Sequence, residues 1–484
     1  MKKPATIFTI CGAVLAAAAL FLTVGATLLF RVRVRAMIAA AVFSVGCFAA
    51  AAGFAEKKKR CVITLSAVAA LLTLGIVFGY FCNPYANSIS LHAGGFTLDA
   101  AEMISKADAE ADIKEAYAHL KKVHPLFKNS VPQETKAAYL DALSSVPSEG
   151  MTCAELRRCI EKMLSTLGDA HTCVVSYPAS ERYPIDYGEL VKGRGLAITE
   201  INGEPLQSFF EAHRDLFSYE AESRALGQLY DNLISDTGLE FLGLGTEVTL
   251  TYENETERIE RRYTDADFVS YAEYMERNAE YYNPDENFVH YELYPDEDYA
   301  LLTLNSCNYN KEYCETLQNM FTQVSQEGIN HVIVDLRRNS GGSDTVAWEF
   351  ISYLGTDSFT TVNYEQRLGF LTMSSNSALW ETEKRNPVFG GDVTILTSAE
   401  SFSSAMLFPL YIQENSLGRI VGEIPGNSVN GYGDIATFSL KNSGLVMSVS
   451  TKKFTRAVGS GDFLIPDVQC SSGEALDFAL SLFS

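Results

Sequence analysis

The chain has 484 residues, with 38 Lys and Arg against 60 Asp and Glu, a formal net charge of −22. That length bounds it to about two to four domains. Nine of the bases but only one acid, Glu56, fall in residues 1–60, leaving 29 bases against 59 acids beyond. So acidic a body excludes attraction to nucleic acid or to an anionic membrane surface, and suits a neutral or basic substrate.

Three apolar runs open the chain, at about 6–30, 36–54 and 61–81, joined by RVRVR and EKKKR. Each is close to the ~20 residues that cross a bilayer as a helix, so residues 1–82 are expected to form three transmembrane helices. Lys2, Lys3 and Lys57 to Arg60 outnumber the bases of the other connector, which puts the N-terminus inside. The expectation is a multi-pass cell-membrane protein with residues 83–484 extracytoplasmic. Six cysteines lie in that body, an even number that permits disulfides; no C-x-x-C pair occurs, so a zinc ribbon is unsupported.

Residues 83–98 read as a linker rich in Asn, Pro, Ser and Gly. From 99 to 180 the pattern is a helical subdomain. Ile113, Ala116, Tyr117 and Leu120 share one helix face. His124 precedes Pro125 and reads as a packed or capping histidine at that helix's end. Thr152 and Glu155 stand as a capping box for a second helix, which Gly168 can stop. His171 then lies on a turn leading into a strand-like run.

Residues 187–265 form a small β-rich module, with a strand at 196–201, the turn Asn202-Gly203, and a hairpin turning near 254–257. Residues 280–484 read as an α/β core. Strand 298–305, helix 311–327 and the apolar strand 332–336 form a βαβ unit. Asn339-Ser340-Gly341-Gly342 is a turn, and its adjacent glycines let backbone N–H groups approach a ligand. Nucleotide-binding GxGxxG and GxxxxGK[ST] patterns are absent there. In 393–406, VTILTSAESFSSAM, a buried strand passes a small polar corner and becomes a helix. Ser401, Ser403 and Ser404 have two readings: turn and cap residues, or, for Ser403, a nucleophile facing helical N–H groups.

The segments LGDAHT, ITEINGEPL, VIVDLRRNSGG, LTSAESFSSAM, RIVGE and IPDV occur in one order over about 101–484. In this the chain resembles the tail-specific (carboxy-terminal processing) and tricorn-core family of serine peptidases. The resemblance implies an α/β peptidase core with a helical N-terminal subdomain, and makes the 187–265 module PDZ-like. It maps the nucleophile onto Ser403, with Met406 where the family usually has Glu. The lysine of Ser-Lys relatives maps onto Ser428, and no Lys lies between Glu423 and Leu440. The tricorn-like branch uses a histidine base instead, which maps onto His171. Ala170 stands where that branch has an extra serine. Its late acid maps nearest to Asp462, with Asp169 and Glu423 as rivals. An oxyanion hole would draw on Ser404 N–H and on Gly341 or Gly342.

The implied function is a metal-free, cofactor-free, membrane-anchored serine peptidase acting outside the cytoplasm on a peptide or protein substrate. Two alternatives stand beside it. One is a catalytically inactive relative that binds peptides as a sensor or scaffold. The other, an accessory subunit of a transporter, is disfavoured because the apolar runs hold no ionisable residue.

Overall fold

The computed structural model describes residues 8, 10–18, 41–49, 71, 84–85, 88–89, 97–175, 180–281, 287–369, 371–376 and 379–483. The expectation of three transmembrane helices does not stand. Among the described residues no helix is long and apolar enough to cross a membrane. The rest of the three runs lies outside the described residues. The multi-pass placement, with its extracytoplasmic assignment for 83–484, is overturned with it. What the chain does form is a mixed α/β fold.

Its centre is a six-stranded sheet in the order Val468–Gln469, Arg419–Gly422, Asp392–Thr397, His331–Asp335, Tyr299–Leu304, Val289–Tyr294. All neighbours are parallel except the last pair. Parallel strands are buried on both faces, which explains the unbroken apolar runs. Val332, Val334, Val393, Ile395 and Ile420 point to one face, where Lys311–Glu327, Thr345–Ile351 and Ser404–Glu414 pack. Ile333, Leu396 and Val421 point to the other, under Ala475–Ser481.

A second sheet, in the order Leu371–Ser375, Asn363–Leu368, Val446–Thr455, Tyr432–Ser439, is antiparallel throughout. Helices Lys106–Val123, Gln133–Ser145 and Cys153–Ser165 cover it through Ala436, Phe438, Met447 and Val449. Asp112, fully buried, fastens the first helix to the hairpin turn by accepting from Asn442 N, Ser443 N and Ser443 Oγ. The Thr152–Glu155 capping box is formed reciprocally.

A third, four-stranded sheet has the order Glu204–Pro205, Ala197–Ile201, Val248–Glu253, Arg258–Tyr263. It is more helical than its sequence texture suggests. Leu206–His213, Glu222–Leu233 and Asp236–Leu242 close a core of their own around Phe210, Leu229, Leu239 and Tyr252. The described cysteines of the body, Cys153, Cys159, Cys173, Cys307, Cys314 and Cys470, are free thiols.

Gly422 ends its strand at φ 129°, and a Cβ there would stand 2.1 Å from the carbonyl oxygen of Thr397. No side chain fits without moving the strand that leads to Ser403. Gly422→Ala is expected to destabilise the chain by about 2–4 kcal/mol, read as an earlier thermal unfolding transition.

Candidate active site

The C-terminal ends of strands Tyr299–Leu304, His331–Asp335 and Asp392–Thr397 converge on one place, where open α/β sheets bind ligands. Asn339 ties their loops together. Its Nδ2 donates to Leu304 O at 2.9 Å, its Oδ1 accepts from Gly341 N at 2.8 Å, and its carbonyl accepts from Phe402 N at 3.0 Å.

Ser403 stands at the head of helix Ser404–Glu414 with φ 57° and ψ −121°. A non-glycine residue in such a conformation costs on the order of 1–3 kcal/mol and needs its surroundings to hold it. Asn427 Oδ1 supplies one hold, accepting from Ser403 N at 2.7 Å. The three serines of the corner separate in role. Ser401 Oγ donates to Leu336 O and Ser404 Oγ to Gly342 O. Ser403 Oγ caps nothing and makes no hydrogen bond among the described residues. Ser403 is partly exposed, between buried Phe402 and Ser404.

Gly341 and Gly342 lie against this corner. A Cβ on Gly341 would be 2.7 Å from Ser403 Cβ and 3.1 Å from Ser404 N, so only glycine fits. The Gly341 N–H is already given to Asn339. The N–H groups of Gly342 and Ser404 have no acceptor among the described residues.

His171 comes from the other sheet's covering layer. Its carbonyl accepts from Ser448 Oγ at 2.6 Å, and Thr172 Oγ1 accepts from Ser450 N, which fixes the segment along strand Val446–Thr455. The imidazole stacks on Phe402, with ring centroids 4.4 Å apart and planes at 30°. That contact sets it beside the residue preceding Ser403. Both ring nitrogens are buried without a hydrogen bond. Burial lowers the His171 pKa below the ordinary imidazole value; the Arg224 charge lowers it further, while Asp169 and Asp434 act against the shift.

The carboxylates fall out differently from the sequence reading. Asp462 is exposed and gives its carboxylate to Asn430 Nδ2 at 2.9 Å, not to His171. Glu423 accepts from Ala399 N and Ser472 N and so braces the serine corner. Asp169 is the carboxylate at the imidazole. It is fully buried, accepts from His171 N at 2.9 Å, and lies 3.9 Å from His171 Nδ1. Its other oxygen meets His124 Nε2 at 3.0 Å and Thr172 Oγ1 at 2.5 Å. Burial alone would raise its pKa. The hydrogen bond and charge of His124, with His171 and Thr172, outweigh burial and bring it down to about 2. His124 also caps its own turn, since Nδ1 accepts from Leu126 N.

Glu220 was not foreseen. It reaches in from the segment before helix Glu222–Leu233, where its oxygens accept from Ala170 N at 3.4 Å and Ser428 N at 2.5 Å. Burial and the nearby Asp169 raise its pKa to about 8. Nothing local in the sequence marks it, because its partners lie 50 and 208 residues away. Asp169, His171 and Glu220 bring their ligand atoms within 4.8 Å of one another.

Residues 298–469 match the model of peptidase family S41. No curated protein sequence matches the chain significantly. Among solved structures, mature CPAF complexed with lactacystin is similar at a TM-score of 0.53 and 12% identity, over 78% of this chain and 97% of that one. That likeness shows a shared fold. A photosystem II D1 C-terminal processing protease matches at 14% identity over 75% of this chain and 93% of that one, TM-score 0.44. A putative peptidase from Parabacteroides merdae matches at 16% identity over 78% and 96%, TM-score 0.44.

Two measurements check the site's electrostatics. Asp169→Ala strands buried His124 and is expected to cost about 2–4 kcal/mol at pH 7. The wild-type contribution is full above the ordinary carboxylate value of 3.8 and fades as pH falls toward about 2, so the variant should lose that acid limb in a stability–pH profile. For Glu220 the sign reverses. Its folded value of about 8 lies above its ordinary 4.5, so wild-type stability declines as pH rises from about 4.5 to 8. Glu220→Gln should flatten that decline in thermal melts.

The parallel sheet, the serine corner at its carboxyl end and the matched residues converge on one assignment: the chain carries a peptidase family S41 domain over residues 298–469.

Proposed function

We propose that this chain cleaves peptide bonds with Ser403 as nucleophile and His171 as general base. The observation that carries the reading is the division of labour at the corner. Ser401 and Ser404 spend their hydroxyls on backbone carbonyls, while Ser403 is held in a left-handed conformation with its hydroxyl uncommitted. A cap residue would use that hydroxyl on the helix. A nucleophile on a strained strand-to-helix turn keeps it free.

Buried His171 stays neutral near pH 7, the state a base requires. Its nitrogens make no hydrogen bond to Ser403 among the described residues, and the proposed proton transfer requires that bond to form. His171 then takes the Ser403 proton as Oγ attacks the carbonyl carbon, and returns it to the leaving amine. Asp169, rather than Asp462, faces the imidazole and stabilises its charged form. Oxyanion donors are the N–H groups of Ser404 and Gly342, since Gly341 N–H is engaged. Water then hydrolyses the acyl-enzyme by the same base.

The unmade Ser403–His171 bond also favours a second reading, an inactive relative that binds peptides without cutting them. A fluorophosphonate probe on the full chain separates the two. The peptidase reading expects labelling that is absent in Ser403→Ala and slowed by about 10²–10⁴-fold in His171→Ala. Peptide binding with no labelling of the wild type would establish the second. Undiminished cleavage by His171→Ala would remove His171 as the base.

A further inference from the structure

Three side chains with lone pairs to give meet at the histidine turn. One carboxylate oxygen each from Asp169 and Glu220 and one ring nitrogen of His171 lie within 4.8 Å of one another. Asp169 Oδ1 stands 3.9 Å from His171 Nδ1, beyond hydrogen-bond reach. The imidazole is only 9% exposed, and neither ring nitrogen has a hydrogen bond among the described residues. A neutral imidazole thus buries one donor and one acceptor unpaired. Proton exchange with Ser403 would employ one of the two nitrogens and leave the other among the carboxylates.

The carboxylates are short of positive charge in the same place. Among the described residues neither meets a lysine or arginine, whereas Asp186, Asp236 and Glu414 each hold an arginine. Asp169 Oδ1 accepts only from His171 N, at 2.9 Å, and Glu220 Oε1 only from Ala170 N, at 3.4 Å. A carboxylate oxygen has two lone pairs, so each of these keeps one. His124 and Thr172 hold Asp169 by its other oxygen, the outer support that a metal ligand uses. The fold also leaves room. A Cβ on Gly431 would be 2.7 Å from Glu220 Oε2 and 3.2 Å from Glu220 Cδ, so the glycine clears the seat of that carboxylate.

We propose that Asp169, His171 and Glu220 bind a divalent transition-metal ion of the Zn²⁺ type, and that the bound ion takes the base out of action. The inhibitory part rests on the reading of His171 as general base; the binding part does not. One imidazole nitrogen and two carboxylate oxygens, with water as a fourth ligand, are a zinc donor set. Ca²⁺ and Mg²⁺ take about six or more ligands, nearly all oxygen, and are poorly served by imidazole. Bonds of about 2.1 Å place tetrahedral ligands about 3.4 Å apart, so closing on an ion takes side-chain shifts on the order of 1 Å. The ion takes the lone pair of Nδ1, and the proton of the ring stays on Nε2. That nitrogen is then a donor and cannot accept the Ser403 proton. Removing the ion restores the base.

The test uses the full chain, freed of metal with a chelator. Fluorophosphonate labelling is timed with and without added Zn²⁺, and each variant is compared with itself so that its own basal rate cancels. Zn²⁺ is expected to slow wild-type labelling at least about 10-fold, reversibly on adding chelator, at a concentration that slows Glu220→Gln less than about 2-fold. Mg²⁺ at the same concentration should slow neither. One equivalent of Co²⁺ added to Ser403→Ala locates the ion without catalysis and without removing a ligand. Nitrogen and oxygen ligands give visible d–d bands and lack the thiolate charge-transfer band that binding at the free cysteines would add. Wild-type labelling that Zn²⁺ does not slow, slowing that persists in Glu220→Gln, or a thiolate band with Co²⁺ overturns the inference. Failure of the peptidase reading is seen separately, as no labelling of the metal-free wild type. The Co²⁺ spectrum then decides the site by itself: d–d bands without a thiolate band support it, and their absence overturns it.

Discussion

The backbone of Ser403 is the constraint on which the site depends. A residue with a side chain does not stay at φ 57°, ψ −121° unaided. Asn427 holds its N–H, and its carbonyl accepts from Met406 N and Leu407 N as the helix begins. Gly341 yields the space its Cβ requires. Each hold has its own support. Asn427 lies on a loop launched by Gly422, and Gly341 is fixed by Asn339, which is bonded in turn to the ends of two other strands. The sheet therefore acts less as a binding surface than as a frame keeping one strained turn in place.

Around that turn the charges are arranged by burial rather than by number. Asp169 and His124 are fully buried together, and their mutual bond keeps the carboxylate ionised where burial alone would neutralise it. Glu220, a short way off, has backbone donors but no cation at bonding distance among the described residues, and burial raises its pKa. Two carboxylates on either side of one histidine segment thus sit at opposite ends of the titration range. Burial keeps the His171 imidazole toward its neutral form, while the Asp169 charge acts against that shift.

The sequence was informative where the physics is local. The β-branched run 393–397, the small polar corner and the helix after it appear as strand Asp392–Thr397 and helix Ser404–Glu414. The Thr152–Glu155 box and the buried strand His331–Asp335 were legible for the same reason, since period and capping are short-range. Long-range partners were not. Glu220, Arg224 and Asn427 meet the site only after folding, and their neighbours in sequence carry no mark of it. Asp462 was selected by its place in a family pattern; here Asn430 takes its carboxylate. Helices 222–233 and 236–242 escaped notice within a segment dominated by hairpin signals. The N-terminal runs misled in another way. Apolar composition alone suggests a membrane span, but among the described residues no helix is long and apolar enough to cross a membrane.

The bond from Ser448 Oγ to the carbonyl of His171 joins residues 277 apart. A ribosome lays down His171 early and strand Val446–Thr455 near the end. Until that strand emerges, the histidine segment has no rail to lie on, and the Ser403 turn waits in an unfinished frame. The order of synthesis thus fixes the histidine segment only after nearly the whole chain has emerged.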